Sequence, residues 1–146
     1  MNNHSSYENV NPYDNSGLSK KNQVIKVFDT ISDVYDKVNK ILFFGLHSVW
    51  RKKVVKLLID KKPVKILDIA TGTGDLAIDL IKTNAKNIVG ADISKEMLKI
   101  ARNKVNNHNL NDIIEIQLGD AENLNFQDNY FDTITCSFGV RNFEDL

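Results

Sequence analysis

The sequence predicts an α/β domain built on a parallel sheet, and three observations predict it. From Val64 onward, short apolar runs alternate with stretches of helical periodicity, the pattern of strands joined by helical crossovers. The first run, Ile66-Leu67-Asp68-Ile69-Ala70, passes directly into Thr71-Gly72-Thr73-Gly74-Asp75, a glycine turn leading to a helix start. The second run closes on Ala91-Asp92, so a carboxylate stands about twenty residues behind the turn, the layout of a nucleotide-type cofactor site.

The elements follow in order. Residues 1–22 are rich in Asn, Ser and Tyr and poor in apolar side chains, so burial cannot offset the entropy of ordering them and a disordered tail is expected. From Val24, the residues Val27, Phe28, Ile31, Val34, Tyr35, Val38 and Ile41 recur at helical spacing, and Gly45 offers a stop. A second helix over about Ser48–Lys61 carries Trp50, Val54, Val55, Leu57 and Leu58 before Pro63. Together they form a helical preface over residues 23–62. The remainder, 63–146, reads as a strand over Val64–Ala70, a helix from Asp75, a strand over Asn87–Ala91, a helix from Ser94, and strands over Ile113–Leu118 and Phe131–Ser137. Ser94 ahead of Met97, Leu98 and Ala101 marks a capped helix start. Right-handed crossovers between such strands cover a parallel sheet on both faces.

Composition narrows the function classes. With 146 residues, 42% of them apolar, and 19 basic against 19 acidic side chains, the chain reads as one soluble domain without the electrostatic footprint of a nucleic-acid binder. The single cysteine, Cys136, excludes an internal disulfide framework, suits a reducing compartment and reads as a small apolar residue of a core strand. No apolar run reaches a membrane span, no signal-peptide pattern opens the chain, and no metal-ligand spacing appears, so a cytoplasmic, metal-independent protein is expected.

The glycine turn must be read for its ligand. Gly72-Thr73-Gly74-Asp75-Leu76-Ala77 satisfies the loose dinucleotide fingerprint, a weak match alone. A dinucleotide would set its pyrophosphate at the following helix N-terminus, where the carboxylate of Asp75 would repel it. A phosphate-free cofactor with a fixed positive charge fits better, with Asp68 and Asp75 favouring the cation, and S-adenosylmethionine has those properties. Asp92 then accepts from both ribose hydroxyls; its alternative is a plain acid at a helix start, a place that Ser94 already serves as cap. Asp120, closing the third strand in Gly119-Asp120-Ala121, can accept from the exocyclic amine of adenine while a backbone N–H near Ala121 donates to the ring. Alone, Asp120 would read as a turn carboxylate; its place at a strand end facing the same crevice decides for the ligand. Ser137, ending the fourth strand, stands beside the methionine part or is a turn residue.

Four segments carry a likeness to a known family: Phe28-Asp29-Thr30-Ile31; Tyr35-Asp36-Lys37-Val38-Asn39 running on to Gly45, His47 and Trp50; the glycine turn; and Ser137-Phe138-Gly139-Val140-Arg141-Asn142. Through them, residues 27–142 resemble the ubiquinone/menaquinone-biosynthesis C-methyltransferases. The turn marks only the broad class; the other segments are narrower. The resemblance implies the Rossmann-like class I S-adenosylmethionine-dependent methyltransferase fold, with strand order 3-2-1-4-5-7-6. It also implies cofactor contacts at Thr73, Asp92, Asp120 with Ala121, and Ser137, to which the turn adds Gly72. Val38 stands where the family has methionine and Phe43 where it has serine, both apolar replacements near the expected quinone side.

The resemblance further implies methyl transfer from S-adenosylmethionine to a ring carbon of a polyprenylated quinol, demethylmenaquinol or the ubiquinone precursor. Arg141 is the first candidate for stabilising a developing quinolate or holding a proton-accepting water, and His47 is the second candidate base. Tyr35, Asn39 and Trp50 would shape the quinol pocket and Phe43-Phe44 meet the polyprenyl tail, giving peripheral membrane contact; helix core is the plainer role for all of them. The chain reads as truncated after strand four, leaving that strand as an exposed edge, so the 146 residues alone are expected to aggregate and lack turnover. Three alternatives stay open: a methyltransferase for another small molecule, an inactive fragment that binds cofactor or a partner through its free sheet edge, and, last because of Asp75, an NAD-dependent oxidoreductase.

Overall fold

The computed structural model describes residues 19–42 and 46–137. Helix α1 spans Lys20–Leu42 and α2 spans Leu46–Ile59. The α1 start is capped by Ser19, whose hydroxyl accepts the Asn22 N–H at 3.3 Å. Lys20 to Asn22, which composition assigns to the tail, are therefore helical; residues 1–18 lie outside the described residues. After α2, Lys62 takes a positive φ of 50° and Pro63 follows, so the chain turns into the sheet.

Four parallel strands follow: β1 (Lys65–Ile69), β2 (Asn87–Asp92), β3 (Ile114–Leu118) and β4 (Thr133–Cys136), in the order β3-β2-β1-β4. Helix α3 (Asp75–Asp79) is short and tightens into a 3-10 turn over Leu80–Thr83, ended by Asn84 in the left-handed region. Helix α4 (Lys95–Asn107) crosses from β2 to β3; its cap is Ser94, as expected, and Met97, Leu98, Ala101 and Val105 form its buried stripe. Among the described residues β4 pairs only with β1.

Alternation along β1 and β2 sorts the core into two layers. Ile66 and Ile88 face α2, α3 and α4, packing with Val55, Leu76, Leu80 and Val105. Leu67 and Val89 face the other way, against Leu124, Phe126 and Phe131. That second face is covered by the connection from β3 to β4, which holds no helix; edge-on aromatic packing of Phe131 with Phe126 (4.8 Å) and Tyr130 (4.9 Å) substitutes for one. At the entrance of the sheet, the Asp132 carboxylate accepts the N–H groups of Val64 (2.8 Å) and Lys65 (3.0 Å), clasping the start of β4 to the start of β1.

Candidate cofactor site

The turn behind β1 alternates between ordinary and left-handed backbone: Ala70, Gly72 and Gly74 have φ of 54°, 57° and 81°. Gly74 is needed for two reasons, since a Cβ there would also lie 3.0 Å from the Ala101 Cβ, so the turn sits directly on α4. Gly72 differs: a Cβ there would meet nothing within 4 Å, because its Cα faces an open cavity of 350 Å³. A ligand can therefore approach the Gly72 backbone closely. The same cavity is lined by Thr73, Asp68, Ser137, Tyr35 and His47. A larger hollow of 540 Å³ lies at the opposite ends of β2 and β3, by Asn87, Arg102 and Asp112. Ligands of open α/β sheets bind outside the carboxyl ends of the strands, which assigns the first cavity, not the larger one.

The two aspartates at adjacent strand ends have different environments. Asp68 is 1% exposed and accepts the hydroxyls of Thr71 and Thr135, both at 2.7 Å. Burial pushes its carboxyl up to about 6; the two hydroxyls pull it back and the charge of Asp92 pushes it further. Asp92 accepts the backbone N–H of Gly72 at 2.8 Å on one oxygen and of Ser94 at 2.9 Å on the other. Burial raises its carboxyl too, against those N–H bonds. A carboxylate offers about four acceptor positions, so Asp92, which lies just behind the cavity wall at Gly72, keeps acceptor capacity for a neighbouring diol. The acceptor positions of Asp92 and the open wall at Gly72 fit a nucleoside.

Helix α1 lies across the strand ends as a cover. Lys21 forms an ion pair with Asp120, the Asp29 carboxylate accepts the Ser94 hydroxyl at 2.5 Å, and Asp36 accepts the Thr73 hydroxyl at 2.7 Å. Steps of eight and seven residues are close to two helical turns each, so all three side chains share one face of α1. Lys21 holds the Asp120 carboxyl below its ordinary range, helped by the Glu122 N–H. Ala121 follows in the turn that Asp120 and Asn123 bridge.

Asp75 corrects the electrostatic argument drawn from the sequence. Its carboxylate is paired with Lys104 at 2.7 Å and faces Arg51 at 3.4 Å, and Arg51 also binds Asp79 at 2.9 Å. Asp75 is thus neutralised by its own protein, and Asp68, raised to about 6, carries little more free charge at mildly acid pH. Trp50 also departs from the expected quinol pocket: it is 50% exposed and lies under the Lys53 ammonium, 4.8 Å from the ring centroid. His47 and Tyr35 do line the cavity, Tyr35 packing edge-on against Phe28 at 6.0 Å. Arg141, Phe43 and Phe44 lie outside the described residues, as does the side chain of Asn39. Arg51, Lys104 and Asp36 are the site residues that sequence reasoning missed; Asp36 alone had a signal, its place beside Tyr35.

The profile of the ubiE/COQ5 methyltransferase family matches residues 17–146. The chain belongs to that family. The ubiE/COQ5 match spans both the cover and the sheet, as the resemblance of the four segments implies. Demethylmenaquinone methyltransferase of Bacteroides fragilis is 41% identical over 140 residues, covering 95% of this chain and 57% of the relative. The Thermotoga maritima protein of the same name is 44% identical over 131 residues, covering 88% and 54%. The chain thus spans a little over half the length of these curated relatives. Among solved structures, a Methanococcus maripaludis protein assigned as an S-adenosyl-L-methionine-dependent methyltransferase aligns with TM-score 0.68 at 30% identity, covering 81% of this chain and 53% of that one. No helix among the described residues is long and apolar enough to cross a membrane.

Proposed function

We propose that the protein carrying this chain is an S-adenosylmethionine-dependent C-methyltransferase that converts demethylmenaquinol to menaquinol. The observation that carries the proposal is the identity of 41–44% to demethylmenaquinone methyltransferases over a stretch that includes the glycine turn, Asp92 and Asp120. When bound, the cofactor supplies an electrophilic methyl group on a sulfonium.

The residues of the chain divide the remaining work. Gly72 gives the cofactor close backbone approach, and Asp92 accepts from the ribose diol with its unused acceptor positions. Asp120, with the backbone at Ala121, receives adenine, which requires Lys21 to share or leave its carboxylate. Thr73 and Ser137 border the methionine end, both in the wall of the cavity. His47 lies in that wall and is, among the described residues, the candidate for accepting the quinol proton; Arg141, the first candidate from the sequence, would stabilise the developing quinolate or hold a proton-accepting water. Holding the ring carbon in line with the methyl group and excluding water supplies much of the rate, which is the service of a cover such as α1.

The test is methyl transfer from labelled S-adenosylmethionine by the full-length protein to three acceptors offered separately: demethylmenaquinol, the demethylated ubiquinone precursor and a catechol. Label in menaquinol is expected. Transfer to the catechol alone would overturn the quinone assignment, and transfer to the ubiquinone precursor alone would reassign the pathway. Replacing His47 by Asn is expected to lower kcat by about 100-fold while leaving cofactor affinity within a few-fold.

A further inference from the structure

Two charged groups meet at Thr73, and their chemistry leaves its hydroxyl only one role. The Thr73 oxygen lies 2.7 Å from Asp36 and 3.1 Å from the Lys104 ammonium. An ammonium has no lone pair to accept with, and an ionised carboxylate has no proton to give. The Thr73 hydroxyl therefore donates its one hydrogen bond to Asp36, accepts an N–H of Lys104 on one lone pair, and what is left can only accept. Lys104 also pairs with Asp36 and Asp75, so one lysine from α4 fixes the cover, the turn and the start of α3 together.

Arg51 is the opposite pole. It is the only Arg or Lys among the described residues lining the cavity, where the acids are Asp36, Asp68 and Asp75. Its contacts with Asp79 and Asp75 use the Nε and Nη1 groups, while a guanidinium carries five N–H donors in a rigid fork. Donors therefore remain on a side chain that lines the cavity. The methionine end of the cofactor is a zwitterion, and each charge taken out of bulk water needs an opposing partner.

We propose that Arg51 binds the carboxylate of the cofactor's methionine end, and that Thr73, held as an acceptor by Asp36 and Lys104, receives its ammonium. This rests on the reading of the site as one for S-adenosylmethionine. It assigns a direction to the amino-acid end: ammonium toward the turn and α1, carboxylate toward α2. It also gives α2 a part in cofactor selection, since Arg51 sits one turn before Val55, which anchors that helix in the core.

Ligands cut back one group at a time test it in the full-length protein. Calorimetry would compare S-adenosylhomocysteine, its decarboxylated analogue S-adenosyl-3-thiopropylamine, and 5′-methylthioadenosine, which lacks the whole amino-acid end. Arg51→Met is expected to weaken S-adenosylhomocysteine by about 10- to 100-fold, the range for a hydrogen bond to a charged group, and to change the other two by less than about 3-fold. Arg51→Lys should recover part of the loss. Thr73→Val should weaken both amine-bearing ligands and spare methylthioadenosine, whose binding also reports that each variant is folded. Equal losses of all three ligands in Arg51→Met, or no loss at all, would overturn the inference. If the unaltered protein binds none of the three, the cofactor assignment itself fails, and this outcome is distinct because it needs no variant.

Discussion

Below the glycine turn, Asp68 is sealed from solvent and held by two hydroxyl donors at 2.7 Å; above it, α1 is attached through Lys21 and Asp36, side chains that are 34% and 29% exposed. The lower layer is set by burial and directional hydrogen bonds, which respond to volume and pH but little to salt. The upper layer buries Val24 but is otherwise held by polar contacts, among them ion pairs at partly wet positions, which salt screens over about 8–10 Å and which contribute little to global stability. The difference teaches that one site is assembled from a buried floor and a cover held largely by polar contacts, and it predicts that the cover loosens before the sheet does.

The most forceful way to break this comparison is at Gly74. Replacing it by Val combines a left-handed backbone with a side chain driven into Ala101, an expected loss of about 4 kcal/mol from strain and overpacking together. Urea unfolding reads it, and a midpoint unchanged from the parent would mean that the floor is not tightly packed.

The next largest effect is a pH dependence. The Asp68 carboxyl is raised from its ordinary 3.8 to about 6, so the folded state holds this proton more tightly than the unfolded chain does. The stability it confers is full below about pH 4 and is lost as pH rises through 6, a difference of about 3 kcal/mol at about 1.4 kcal/mol per unit. Asp68→Asn keeps the shape and removes the titration, so its stability relative to the parent should climb by about 2 kcal/mol between pH 4 and pH 7. Asp79, Asp120 and Asp132, whose carboxyls are lowered, slope the opposite way in both proteins and cancel in the difference; the burial that raises Asp92 is likewise common to both, and its repulsion from Asp68 is part of the difference. A flat difference curve would show that Asp68 is solvated in solution.

The smallest effect sharpens the cover. Lys21→Met should change global stability by less than about 1 kcal/mol, yet speed amide hydrogen exchange in α1 while leaving α4 protected. The parent in about 0.5 M salt should show the same selective loosening. If α1 and α4 loosen together, the two layers are one cooperative unit.

What was legible in the sequence follows the same division. The floor is local: the β1 run, the glycine turn, the Ser94 cap and the stripe Met97, Leu98, Ala101 are all written within a few residues, and they fall where periodicity and capping chemistry put them. The cover is not. The α1 start hides behind Lys20 and Lys21, whose charge opposes a helix N-terminus, and the partner that offsets it, Asp120, lies 99 residues away. The contacts of Asp36 with Thr73 and of Arg51 with Asp79 span 37 and 28 residues and obey no period. Asp75 misleads for the same reason, because its charge is legible in the sequence and its two cations are not. The missing crossover helix between β3 and β4 is a matter of composition, since Phe126, Tyr130 and Phe131 cover the sheet without helical spacing.

The Asp132 clasp has a consequence for the far end of the molecule. It fastens β4 to β1 with Ile66 opposite Thr133, and that choice carries up the ladder to set Asp68 opposite Thr135. A slip of a single residue would turn every β4 side chain to the other face and take the Thr135 hydroxyl away from Asp68. Three residues of strand, about 10 Å, thus separate the rivet from the alignment it guarantees.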